Sequence, residues 1–146
     1  MNEKQISNFR KAGEIVKQVK ENAKKWIKKD MKLLDIAEKI EAEITKLGGK
    51  PAFPVNLGIN EVTAHYTPAY NDETLASGLL KVDFGVQINN CTTDNSFSID
   101  LENNEENKKL IECSELALKE AIESIKKNKS LGEIGQSVQN TAEKYG

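Results

Sequence analysis

Asp83, Asp94 and His65 are the residues of this sequence whose types and spacing could do chemistry. The two aspartates lie in LLKVDFGVQI and CTTDNSFSID, apolar-alternating stretches on either side of Asn89-Asn90. Asparagine tolerates positive φ, so Asn89-Asn90 predicts a two-residue type I′ turn and a hairpin. That register pairs Ile88 with Cys91, Gln87 with Thr92 and Gly85 with Asp94. Directly opposed residues, and residues two apart on one strand, share a face. Asp83, Gly85 and Asp94 therefore fall together on a polar face. Val82, Phe84, Val86 and Phe97 fall on the other. Adjacent carboxylates resist joint ionisation, and a divalent cation would reverse that penalty. Two other readings stay open on geometry alone: a solvated face with scattered acids, and a one-residue slip that puts the acids on opposite faces. His65 is the single histidine; a lone histidine is more often a satisfied polar residue than a catalytic one, and its setting in TAHYTP, between a turn and a loop, leans only slightly toward function. A zinc site joining it to Cys91 or Cys113 has no recognisable spacing.

The elements that must position these residues follow from periodicity. Phe9, Ala12, Ile15, Val16, Val19, Ala23 and Ile27 recur at helical spacing and predict an amphipathic helix of about five turns. Leu34, Ala37, Ile40, Ile44 and Leu47 predict a second helix, closed by Gly48-Gly49 before Pro51. Residues 51–68 read as extended segments with a turn near Asn60, and 70–78 as a loop. Asn103 or Asn104 can cap a third helix, with Leu110, Ile111, Leu118, Ala121, Ile122 and Ile125 as its buried face. Ser130 and Glu133 have capping-box spacing for a fourth helix carrying Ile134, Val138, Ala142 and Tyr145. No internal repeat is evident beyond the helical periods. Residues 1–146 are read as one α+β domain, an antiparallel sheet with amphipathic helices on one face.

Composition narrows the function. The formal net charge is −2 and Arg10 is the only arginine, which argues against a nucleic-acid partner. Two cysteines without CxxC spacing do not make a disulfide framework. The amphipathic opening has no apolar signal-peptide core. No apolar run approaches the roughly 20 residues that span a bilayer. A cytoplasmic protein with no membrane partner is the expectation.

Taken together, PAFPVNLGIN, AHYTP, KVDFG and the second aspartate resemble the methionine aminopeptidases, in particular their type II, archaeal-like branch. The resemblance runs from about residue 6 to the end. It implies the N-terminal half of a pita-bread (creatinase/aminopeptidase) fold, in which two similar halves enclose a dinuclear metal site. It implies Asp83 and Asp94 as metal ligands, His65 as a catalytic and substrate-contacting residue, and Phe53 as a lining of the methionine side-chain pocket. Two divalent ions are implied, of cobalt, manganese, iron or zinc. The reaction implied is removal of N-terminal methionine from nascent polypeptides. The family's site also uses a histidine and two glutamates from its second half, and the sequence has no histidine after His65. The chain alone is therefore expected to be inactive and to need a C-terminal half, from the same gene or a separate chain. A pita-bread peptidase cleaving Xaa-Pro bonds and a non-catalytic binding protein of the same fold are the alternatives.

Overall fold

Asn2 opens the first helix. Its side chain accepts the Gln5 N–H at 2.9 Å, while Gln5 Oε1 accepts the Asn2 N–H at 2.9 Å. This reciprocal cap satisfies two donors that a helix start would otherwise leave free. In the computed structural model, which describes residues 1–146, helix α1 runs from Glu3 to Trp26. Ala12, Val16, Val19 and Ala23 are buried on one face, as their spacing predicts. Phe9 departs from the expected face and is 37% exposed, while Asn8 is buried beside Asn89. At that end the helix meets a polar hairpin turn, so a polar side chain fits there.

Asp30, at φ 64°, turns the chain into α2, Leu33–Lys46. Leu33, Ile36, Ala37, Ile40 and Ile44 are its buried residues, so the buried face begins at Leu33 where the sequence reading began at Leu34. Gly48, at φ 87°, closes the helix as expected.

The strands are β1 (Lys50–Pro51), β2 (Asn56–Ile59), β3 (Leu79–Phe84), β4 (Val86–Ile88), β5 (Cys91–Thr92) and β6 (Asn95–Asp100). They form two antiparallel three-stranded arrangements, β1-β4-β5 and β2-β3-β6. Gln87 pairs with Thr92 and Ile88 with Cys91; Asp83 pairs with Ser96 and Phe84 with Asn95. One register runs through both sets, and the Thr93 N–H donates to the Val86 carbonyl at 2.9 Å within it. Asn89 and Asn90 both have positive φ, 47° and 65°, which is the turn their types predict. Leu80, Val82, Phe84 and Val86 are completely buried on one face, against α1 and α2.

The chain divides into two compact units, Met1–Glu102 and Asn103–Gly146. The second unit contains only α3 (Glu105–Lys126) and α4 (Leu131–Tyr145). Asn104 caps α3, and Ser130 and Glu133 form the predicted capping box of α4. The burial expected for α3 is not found. Leu110, Leu118, Ile122 and Ile125 are exposed, and the helix buries Ala117 and Ser124 instead. On α4, Thr141 is the buried residue. The two helices pack through small and hydroxylated residues, with the Ser124 and Ser137 hydroxyls 3.3 Å apart. No strand belongs to this unit, so nothing within it covers the large apolar side chains.

The sequence also holds a repeat that helical periodicity conceals. Ala23, Ile27, Lys28, Lys29, Leu33, Ile36 and Gly48 are matched, at one constant offset, by Ala121, Ile125, Lys126, Lys127, Leu131, Ile134 and Gly146. Asp30 and Asn128, equivalent under this offset, both take positive φ in the connection between helices. The segment carrying α3 and α4 thus repeats the pattern of the segment carrying α1 and α2. The polar positions between the shared residues differ, so composition and helical period alone do not reveal the match.

Candidate metal-binding site

Asp83 lies near the end of β3, on the face turned away from the buried Leu80, Val82 and Phe84. It is half-buried, and Asp94, in the link between β5 and β6, is exposed. The continuous hairpin register sets Asp94 opposite Gly85 and diagonal to Asp83. Their carboxyl groups come within hydrogen-bonding reach of each other. Burial is the main cause that pushes the Asp83 carboxyl above its ordinary value of 3.8, and the neighbouring Asp94 adds to it. A hydrogen bond from Asn56, the residue facing it on β2, and the charge of His65 pull in the other direction. The slip that would have separated the acids does not occur.

Gly85 makes the convergence possible. A Cβ at this position would lie 2.5 Å from the Thr93 carbonyl oxygen, 2.6 Å from Phe53 Cε1 and 2.9 Å from Ala52 Cβ. The Phe53 ring therefore rests over this glycine, between β1 and β2, on the same side as the acids. The Ala52 N–H donates to the Gly85 carbonyl at 3.0 Å and holds this segment along the hairpin.

His65 comes from a strap that doubles back beside β2. At the start of the strap, Asn60 has φ 48°, donates its N–H to the Leu79 carbonyl at 3.0 Å, and accepts the Leu79 N–H on Oδ1 at 2.9 Å. The Lys81 ammonium donates to the Asn60 carbonyl. Gly58 lets the strap fold this closely, since a Cβ there would lie 2.1 Å from the Val62 carbonyl oxygen. The far end is fixed by the Leu57 N–H on the Tyr66 carbonyl at 2.7 Å and by the Thr67 hydroxyl on Asn56 Oδ1 at 2.6 Å. The Tyr66 hydroxyl donates to Asp72 at 2.5 Å. His65 itself is exposed, at φ 64°, and its charge reaches Asp83. Positive φ is uncommon for a non-glycine residue, and histidine is among those that accept it.

The structure thus brings together Asp83, Asp94, Phe53 and His65. The sequence reading missed Asn56, Thr67, Asn60 and Lys81, which hold these residues in place. An asparagine and a lysine on otherwise apolar strands were the available signals. Hard carboxylate oxygens suit a divalent cation, and placing one between them would offset the mutual repulsion of the pair. The donor set fits such an ion and leaves it incompletely enclosed, because no group of three or more histidine, cysteine, aspartate or glutamate side chains converges in this chain.

Residues 7–146 match the model of metallopeptidase family M24. A methionine aminopeptidase of Methanothermus fervidus is 42% identical over 97% of this chain and 82% of its own length. A methionine aminopeptidase of Methanocaldococcus jannaschii is 41% identical over 92% of this chain, and the match spans 46% of that protein. Among solved structures, the methionine aminopeptidase of Rickettsia prowazekii superposes with a TM-score of 0.84 over 99% of this chain and 62% of its own, at 21% identity. Apart from the Methanothermus protein, the chain spans about half the length of the curated relatives it matches.

Proposed function

The chain belongs to metallopeptidase family M24, and from that premise we propose that it forms the N-terminal half of a methionine aminopeptidase catalytic domain, residues 1–146. The fold is half of the pita-bread arrangement of such aminopeptidases. The substrate in this reading is the amino-terminal end of a newly made polypeptide that begins with methionine. The observation that carries the reading is the meeting of Asp83 and Asp94 beside Gly85, with Phe53 over that glycine and His65 near enough to act electrostatically on Asp83. That both acids hold divalent ions, and that the ions number two, is part of the proposal.

Asp83 and Asp94 would hold the metal through carboxylate oxygens, with ligands from a C-terminal half completing the shell. When bound, the metal would polarise the scissile carbonyl and make water a usable nucleophile at neutral pH. Asp83 faces Asn56 across the β2–β3 pair, on the polar side of the strand. His65 projects from a strap tied at both ends, so its imidazole can hold a hydrogen bond to the scissile amide or its developing negative charge. Phe53 offers an apolar surface for the methionine side chain and keeps water from that side of the peptide.

Reconstitution tests this reading. The purified chain, supplied with Mn²⁺ or Co²⁺, is expected to release no methionine from a Met-Ala peptide. Adding the unmatched C-terminal portion of the Methanocaldococcus relative is expected to produce release, with Ala-Pro peptides left intact. Asp83→Ala, Asp94→Ala and His65→Ala should each remove most of the restored rate. Full activity after Asp94→Ala would overturn the ligand assignment. Strong release by the chain alone would overturn the half-site.

A further inference from the structure

The strap that carries His65 and the strand that carries Asp83 meet at Asn56, a residue of the PAFPVNLGIN stretch to which no role has been given. Asn56 is the cross-strand partner of Asp83 in the β2–β3 register. The Thr67 hydroxyl, two residues beyond His65, donates to Asn56 Oδ1 at 2.6 Å. We propose that Asn56 is a positioning residue that ties the His65 strap to Asp83, its oxygen taking the Thr67 hydroxyl proton and its amide donating to the Asp83 carboxylate. The proposal rests on the reading of Asp83 as a metal ligand.

The chemistry of the three groups fixes the direction of the chain. An ionised carboxylate only accepts hydrogen bonds, so it must meet the NH₂ side of the Asn56 amide. That orientation leaves Oδ1 turned outward to Thr67, which must then donate. Reversing the amide would set its oxygen against the Asp83 oxygens and leave the Thr67 hydroxyl without this acceptor. Asn56 and Asp83 are directly opposed on β2 and β3, so their side chains share one face at the separation of a cross-strand pair, within reach of a hydrogen bond. Groups that hold a ligand from behind tune metal affinity as well as geometry, and their loss typically costs about 10–100-fold in affinity. Here the tie has a second end. Because Thr67 is close in sequence to His65, the position of the imidazole and the orientation of Asp83 are set by one amide. The other end of the strap is fixed separately, by Lys81 on the Asn60 carbonyl, so the Asn56 tie can be removed without releasing the whole segment.

The test has a metal-free arm and a metal arm, both on the full chain. In ¹⁵N-labelled protein without metal, the side-chain amide signals of Asn56 should shift, and exchange faster with solvent, in both Asp83→Ala and Thr67→Val. Signals that do not move in Asp83→Ala overturn the proposal. With Mn²⁺ as the probe, Asn56→Ala should weaken binding about tenfold with little change in melting temperature. Thr67→Val should weaken it less, Thr67→Ser should restore it, and the double variant should be no worse than Asn56→Ala alone. Losses that simply add would show two independent effects and overturn the tie. If the unaltered chain alone takes no Mn²⁺, uptake is measured with the C-terminal portion of the Methanocaldococcus relative added; no uptake there overturns the ligand assignment of Asp83, and the metal-free arm still decides whether the tie exists.

Discussion

At the scale of single residues, the carboxylate pair works against the stability of the metal-free chain. Asp83 has its pKa raised in the folded protein, chiefly by burial and then by Asp94. The folded state therefore holds the Asp83 proton more tightly than the unfolded state. Stability falls as pH rises from the ordinary value of 3.8 through the raised one, and stays lower above it. Asp83→Asn removes the charge, so the metal-free variant should melt higher than the unaltered chain at pH 7. The gain should vanish below the ordinary carboxyl value. Thermal unfolding at both pH values, in a chelator, checks this. Asp72 has the opposite sign. Thr74 and Tyr66 donate to it and lower its pKa to about 2. Its contribution is present above the unfolded value and is lost as pH falls through about 2. Asp72→Asn should therefore lower the urea midpoint at pH 7 and lower it much less near pH 2.

At the scale of elements, close approach decides which substitutions matter. A methyl group at Gly58 would meet the Val62 carbonyl oxygen at 2.1 Å, so Gly58→Ala should cost about 1–3 kcal/mol and loosen the strap. Urea unfolding gives the cost, and faster amide exchange at Tyr66 and Thr67 would report the loosening. The hairpin was legible in the sequence because its signals agree: two asparagines for the turn, alternation of apolar and polar residues from Leu80 to Ile88, and acids on one face only. The α1 and α2 helices were legible for the same reason, apart from the shift at Leu33 and the exposure of Phe9. The strap was not legible. It is set by contacts between stretches distant in sequence, such as Lys81 with Asn60 and Thr67 with Asn56, and no local pattern encodes those. The buried face of α3 was misread because periodicity shows which side of a helix is apolar without supplying anything to cover it.

At the scale of the whole molecule, the two units should differ in cohesion. The first buries a continuous core that includes Phe84, Leu33, Ile36, Ile40 and Leu80. The second is a helical pair with four large apolar residues of α3 open to solvent. A pair of that size buries little and is marginal by itself. Hydrogen exchange should therefore find amides of α3 and α4 exchanging well ahead of those in β3 and α2. Ile36→Ala should cost about 2–5 kcal/mol, whereas Leu118→Ala should fall within about 0.5 kcal/mol of no effect. Equal costs in denaturant titrations would show that the exposed residues are covered in solution. One small feature joins scales that are otherwise separate. Three stretches of backbone, around Ala52, Gly85 and Thr93, crowd into a space where only hydrogen fits. A single extra carbon there would lift the aromatic plate and splay the acids in the same movement, so the proposed methionine surface and the proposed metal ligands would shift as one through that point.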